Sequence, residues 1–260
     1  MIEEFREKIW HYYRENGRDL VWRHDPTQYQ VVVSELMLQQ TQVARVKERY
    51  PRWMRRFPSF EVLANASVAE VLEEWQGMGY NRRALFLHQI AQVVMRDYGG
   101  ILPNDPAELV KLPGIGPNTA GSIAAFAYEI PVVFIETNIR RVFIHEFFPE
   151  AEEVSDKDLI PLIEQALDAE HPREWHYALM DYGSHLAKTV PNPNRRSRHY
   201  TVQPTFDGSS RQIRGEVLRQ LMTGPRLSFE IYDERLEGVL IALQSEGFIS
   251  LNDQVYSLRK

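Results

Sequence analysis

The sequence predicts a mainly α-helical chain that ends in a small, differently patterned module. Three observations carry this. Helix-start signals and 3.6-residue apolar spacing recur up to about Ala187, a glycine-proline turn interrupts them at 112–121, and the pattern changes beyond 201–209. Along the chain, Ser67 and Glu70 form a Ser-x-x-Glu capping box ahead of VLEEW, and Asp105 precedes Pro106 as an N-cap with proline at the first helical position. Ser155 opens another helix, in which Leu159, Leu162, Ile163 and Leu167 fall on one face. By β-branching alone VVFIETN at 132–138 reads as a strand.

Residues 112–121, LPGIGPNTAG, are the most informative stretch. Pro-Gly-x-Gly cannot continue a helix, and its glycines can take φ > 0 and let another surface approach the backbone. The segment therefore predicts helix, tight hairpin, helix, the second helix starting near Pro117. Its first amides, around Thr119, would be unpaired and suited to an anion such as phosphate.

Residues 201–209, with Pro204, Gly208 and Ser209, read as a linker. Beyond it the sequence predicts an amphipathic helix over SRQIRGEVLRQLMTG, a shorter helix, a third helix from about Asp233, and two strands around an Asn252-Asp253 turn. That order is the winged-helix layout, placed at 210–260. The third helix offers Arg235 but also Asp233, Glu234 and Glu237, so DNA contact on one side and protein contact or plain stabilisation on the other are equally open for this module.

With 260 residues and 43% apolar content the chain can fill one large core and a small one. No apolar run of 18 residues occurs and MIEEFREKIW is charged from its third residue, so neither a membrane span nor a secretory signal is expected, and the protein is placed in the cytoplasm, associated with the nucleoid. A net charge of −6 counts mildly against nucleic acid. Its distribution counts the other way: Lys188, Arg195, Arg196 and Arg198 have no acid among them, and Arg82-Arg83 and Arg140-Arg141 lie in or beside the motifs described next. None of the eight histidines has convincing zinc-pair spacing.

The hairpin, SELMLQQTQV at 34–43, WQGMGYNRRA at 75–84, ETN with IRRV at 136–142 and HYALMDYG at 176–183 occur in this order over about residues 1–200. In this the chain resembles the helix-hairpin-helix DNA glycosylases of the endonuclease III superfamily, and within them the MutY-type adenine glycosylases. The resemblance implies a helix-hairpin-helix domain over 1–200, with a central subdomain at about 24–135 and a second built from 1–23 and 136–200. It also replaces the strand at 132–138 with a short connection in which Asn138 caps the next helix. It further implies double-stranded DNA carrying a mismatch or lesion as partner, and a monomer.

Hydrolysis of an N-glycosidic bond needs a proton for the leaving base, stabilisation of an oxocarbenium-like sugar, and water. Glu35, with Gln39 and Gln42 the polar stripe of an otherwise apolar helix, matches the family's catalytic glutamate and is the expected acid. Glu136 stands where the family has aspartate and is expected to stabilise the cation; the alternative is a helix N-cap beside Asn138. Asn118 holds the position of the Schiff-base lysine of bifunctional relatives, and an amide forms no imine, so hydrolysis without strand cleavage is implied. Lys111 is out of register with that position. Gln40 and Tyr80 match residues the family inserts into the duplex, and Thr41, Arg82, Gly114, Gly116, Asn118, Thr119, Arg195 and Arg196 complete the expected DNA contacts. Trp22 and Arg23 match a pair near the base pocket. The carbonyls of Val110, Leu112 and Ile115 match a K⁺ or Na⁺ site at the hairpin. The family's iron-sulfur cysteines fall on Ala187, Asn194, Ser197 and Gln203, and the chain has no cysteine, so no cluster is expected.

The expected activity is excision of adenine opposite 8-oxoguanine or guanine in base-excision repair. Thymine/uracil–guanine mismatch or hypoxanthine excision is one alternative, and a non-catalytic lesion-binding protein is another. The larger C-terminal domain with which adenine glycosylases read the opposite base has no counterpart in the 210–260 pattern.

Overall fold

A computed structural model describes residues 1–202 and 205–259. The chain forms α1 (Ile2–Asn16), α2 (Gln28–Leu38), α3 (Val43–Arg56), α4 (Phe60–Ala64), α5 (Val68–Glu74), α6 (Arg82–Asp97), α7 (Pro106–Leu109), α8 (Pro117–Tyr128), α9 (Thr137–Phe147), α10 (Asp156–Ala166), α11 (Pro172–Thr189), α12 (Ser210–Leu221) and α13 (Leu236–Ser245), then β1 (Ile249–Asn252) and β2 (Val255–Leu258). Among the described residues no helix is long and apolar enough to cross a membrane.

Contacts divide the chain into two units, one of residues 1–31, 103–111 and 115–202, the other of 32–102, 112–114 and 203–260. The sequence-based boundaries differ: they group 115–135 with the central helices, whereas the contacts group it with the terminal ones.

In the first unit α9 packs on α11, and α11 on α1. Trp175 at the centre is fully buried, with Phe5 edge-on at 6.1 Å and Trp10 at 5.6 Å; removing one such ring from water contributes about 2–3 kcal/mol. α10 starts after Ser155 and the Asp105 cap with Pro106 forms in α7, both as expected; Ser155 in addition makes a capping box with Asp158. Residues 132–135 are irregular, so the strand that β-branching favoured is absent. His176 of α11 explains what holds them: its Nε2 lies 3.0 Å from the Val132 carbonyl and its ring packs on Phe134 at 4.3 Å. Burial pushes this histidine from its ordinary 6.5 down to about 4.

The second unit packs α6 against α4 and α5 and centres on Trp53 and Trp75, 5.5 Å apart and edge-on. The Ser67–Glu70 box opens α5. Its C-terminal part departs from expectation. α12 stops at Leu221, α13 begins at Leu236 rather than near Asp233, and the shorter helix between them does not form. Instead Arg226 makes an antiparallel bridge to Tyr256 of β2, so this stretch gives its backbone hydrogen bonds to the hairpin. The hairpin turn is Asp253-Gln254, one residue later than predicted, with φ of 48° and 65°. Two central residues with positive φ fit the right-handed twist of a two-residue hairpin. Within the predicted linker, Gln203 and Pro204 lie outside the described residues.

Candidate active site

The hairpin forms as expected and α8 starts at Pro117. One of its glycines uses the left-handed region: Gly114 has φ 73°, and a Cβ there would lie 2.1 Å from the Phe86 ring. Gly116 has φ −89° and is simply the N-cap of α8, so its predicted positive φ is not needed. Asn118 is exposed in the first turn, and its Oδ1 accepts the Ile135 amide at 3.1 Å. The start of α8 is thereby tied to the residue before Glu136.

Glu136 caps α9, correcting the expectation that Asn138 does so. Its Oε1 accepts the Asn138 and Ile139 amides at 2.7 and 2.9 Å, and its Oε2 accepts Asn138 Nδ2 at 3.2 Å. Burial raises its carboxyl above the ordinary carboxylate range, against the downward pull of the two amides and of Arg141. Asn138 Oδ1 accepts Arg141 Nη1 at 2.6 Å, and the same nitrogen donates to the Gly183 carbonyl at 2.9 Å. A Cβ on Gly183 would stand 2.5 Å from the Asn138 carbonyl oxygen, which accounts for glycine in the HYALMDYG run. The corner therefore holds the carboxyl group of Glu136 at a helix N-terminus in one orientation, its amide donors offsetting part of the burial that opposes its charge.

Glu35 is half-buried near the C-terminal end of α2, between buried Ser34 and Leu36. The helix ends at Leu38, so Gln39 and Gln42 do not extend the predicted polar stripe; Gln42 instead precedes the first residue of α3. The chain leaves α2 through Gln40, which is exposed with φ 52°.

Arg83, noted in the sequence only as part of a charge pair, organises this turn. Its buried guanidinium donates through Nη1 to the carbonyls of Leu36 (2.8 Å), Met37 (2.9 Å) and Gln39. Through Nη2 it donates to Thr41 Oγ1 (2.9 Å) and to the Met78 and Gly79 carbonyls (3.3 and 3.2 Å). Burial pulls it down to about 10, still charged at neutral pH. A cation at the carbonyl end of α2 satisfies orphan acceptors and opposes the helix dipole. It also joins the two turns that carry Gln40 and Tyr80, the latter with φ 47° and 37% exposed. The signal for this was available: Arg83 lies on the same helical face as Leu87 and Ile90, so a charged residue falls in an apolar stripe.

The other expected contacts are largely engaged by the protein itself. Arg82 pairs with Glu246. Arg196 donates to the Pro149 and Ala151 carbonyls at 2.8 and 3.3 Å, and also to that of Phe148, tying down the chain that leaves α9. Arg23 pairs bidentately with the buried carboxylate of Asp181 at 2.9 and 3.0 Å, shares it with Arg18, and stacks over Tyr177 at 4.2 Å. Trp22 is buried, Thr119 half-buried, and Arg195 exposed. Of the residues expected to offer carbonyls to a monovalent cation, Leu112 and Ile115 are buried and Val110 is 38% exposed.

The positions expected for cluster cysteines do not fit an iron-sulfur group. Ala187, Asn194 and Ser197 supply no thiolate, and Gln203 lies outside the described residues. Among the described residues no group of His, Asp or Glu is placed to hold a metal ion. The loop is braced by hydrogen bonds instead: Asn194 Nδ2 donates to the Thr137 carbonyl at 2.9 Å, and Val154 exchanges backbone bonds with Arg196 and Arg198 at 2.8 and 3.1 Å.

Comparison with known proteins gives the family and the fold. The profile of the HhH-GPD superfamily base excision DNA repair proteins matches residues 33–160. An adenine DNA glycosylase of Mycobacterium tuberculosis is 35% identical over 233 residues, 80% of this chain and 75% of the relative. The Mus musculus adenine DNA glycosylase is 34% identical over 83% of this chain but only 44% of its own length. Among solved structures, a thermostable thymine-DNA glycosylase superposes with a TM-score of 0.65 at 23% identity, covering 75% of this chain and 91% of that one. An endonuclease III bound to DNA superposes with a TM-score of 0.62 at 16% identity, covering 76% and 95%. The fold is therefore that of endonuclease III, and the chain belongs to the HhH-GPD superfamily of base excision DNA repair proteins, with curated adenine DNA glycosylases among its relatives.

Proposed function

We propose that the chain is a monofunctional DNA glycosylase that hydrolyses the N-glycosidic bond of adenine mispaired with 8-oxoguanine or guanine in duplex DNA. The observation that carries this is the tethered corner formed by Glu136, Asn138, Arg141 and Asn118, in a chain whose relatives are named adenine DNA glycosylases. Glu35 gives a proton to the departing base. Glu136, held by two amides, stabilises the positive charge that develops on the sugar. Asn118, with an amide and no amine, braces the connection before Glu136 and leaves the sugar to water. Gln40 and Tyr80 enter the duplex as the base leaves the stack, which costs a few kcal/mol and needs the gap held. The Val110, Leu112 and Ile115 carbonyls are the proposed seat for K⁺ or Na⁺.

The test is a panel of duplexes carrying adenine opposite 8-oxoguanine or guanine, thymine or uracil opposite guanine, and hypoxanthine. Release of adenine, with strand breakage only after alkali, supports the proposal. Release of thymine or uracil alone reassigns the substrate, and binding without release makes the chain a lesion sensor. Borohydride should trap no adduct with the parent, whereas Asn118→Lys, which supplies an amine at that position, should gain one. Efficient trapping by the parent would refute the monofunctional assignment.

A further inference from the structure

Within the second unit the C-terminal segment reaches the same turn that carries Tyr80. Arg211, at the start of α12, donates through Nη1 to the Tyr80 hydroxyl at 2.8 Å, and its guanidinium lies 5.7 Å from the Tyr80 ring centroid. Arg83 approaches the same ring at 5.5 Å. Tyr80 therefore has two cations beside its ring, one locked to backbone carbonyls and one supplied by the C-terminal segment. A cation near an aromatic ring is attracted to its negative face, and the hydroxyl bond fixes the ring's direction as well as its place.

A second contact makes this more than a stray side chain. Glu246, after α13, accepts Arg82 Nε at 3.2 Å and Arg214 Nη2 at 2.6 Å, joining the residue two after Tyr80 to α12. The Glu246 side chain is 19% exposed and that of Arg214 21%, so this pair is shielded more than an ordinary surface pair, while Arg82 is exposed. Arg211 also donates to the Thr205 carbonyl at 3.1 Å, which ties it to the beginning of the segment.

We propose that Arg211 is a positioning residue for Tyr80, through which residues 205–259 set the orientation of the side chain that enters the duplex. The segment thus acts on DNA opening from the protein side instead of reading bases through the start of α13, where the preceding Arg235 is occupied by Asp233 and the Gly208 carbonyl. The assignment rests on the reading of Tyr80 given above.

The test separates opening from excision. The full chain is titrated onto a duplex with 2-aminopurine beside a target adenosine carrying a 2′-fluorine, which slows glycosidic cleavage, and the fluorescence rise at saturation reports loss of stacking. Arg211→Ala and Tyr80→Phe should each reduce the opening equilibrium about fivefold, the loss of one hydrogen bond. The double variant should lose no more than either alone, and Arg211→Lys should recover part of the effect. Multiplied losses of about 25-fold in the double variant, or a Tyr80→Phe protein indistinguishable from the parent, would overturn the proposal. Should Arg211→Ala fail to fold, the Tyr80→Phe comparison decides alone. A parent that opens the duplex but releases no base from an unfluorinated target would refute the proposed activity and leave the coupling measurable. A parent that does not bind the duplex would refute both.

Discussion

The two carboxylates of the proposed reaction are held in opposite ways. Glu136 sits at the N-terminus of α9 with both oxygens accepting fixed donors, while Glu35 lies near the C-terminal end of α2 with Ser34, Leu36 and Met37 buried around it. A helix N-terminus favours a carboxylate anion and a helix C-terminus does not. The difference teaches how one fold can hold two chemically similar groups unequally: Glu136 is fixed in orientation by the donors at the start of α9, while Glu35 is half-buried at the other end of a helix.

The largest effect that would break this comparison is at Glu35. Glu35→Gln removes the proton donor and no phosphate contact, so single-turnover base release should fall by about two to four orders of magnitude while duplex affinity stays within a few-fold. Equal rates would leave Glu35 without the role of acid.

Glu136 sharpens the comparison from the other side. Glu136→Gln keeps an oxygen for the α9 amides but loses the charge, and release should fall at least about a hundredfold with little change in melting temperature. Glu136→Asp keeps both the cap and the charge and should match or exceed the parent. A fully active Gln variant would reduce Glu136 to its capping role.

Arg83 tests whether the Gln40 and Tyr80 turns depend on one cation. Arg83→Met leaves the Leu36, Met37 and Gln39 carbonyls without their donor and should cost about 3 kcal/mol in urea unfolding. A loss below 1 kcal/mol would mean that water replaces the guanidinium at no cost.

The remaining effect is a pH dependence in the first unit. His176 binds its proton more weakly folded than unfolded, so its contribution is complete above about pH 6.5 and is lost as the pH falls toward 4. The parent should lose roughly 3 kcal/mol over that window, and His176→Phe should flatten that part of the profile. Identical slopes for the two proteins would assign the acid sensitivity to other groups.

The sequence was legible where local chemistry decides structure. The box at Ser67, the helix starts at Ser155 and Asp105–Pro106, and the Gly114 turn are each specified within four residues. It was less legible where a distant partner decides. Asn138 is the more usual cap, yet Glu136 takes that role while Asn138 lies inside α9, its side chain held by Arg141 on the same helix and its carbonyl oxygen close against Gly183 of α11. The helix expected before Asp233 was lost to a bridge with Tyr256, a pairing thirty residues away. For the candidate site, the five motifs located the Glu136 corner, whereas Arg82 and Arg196 read as cations for DNA and Arg23 as a base-pocket residue, and they are bonded to Glu246, backbone carbonyls and Asp181.

The central claim is hydrolytic release of adenine, and the most direct measurement is the product of the unaltered protein in a single turnover on a duplex with one adenine opposite 8-oxoguanine. The account predicts free adenine in amounts equal to abasic sites, in a strand that stays whole until alkali is added. Strand breaks without alkali, or no free adenine at enzyme concentrations that saturate the duplex, would contradict it.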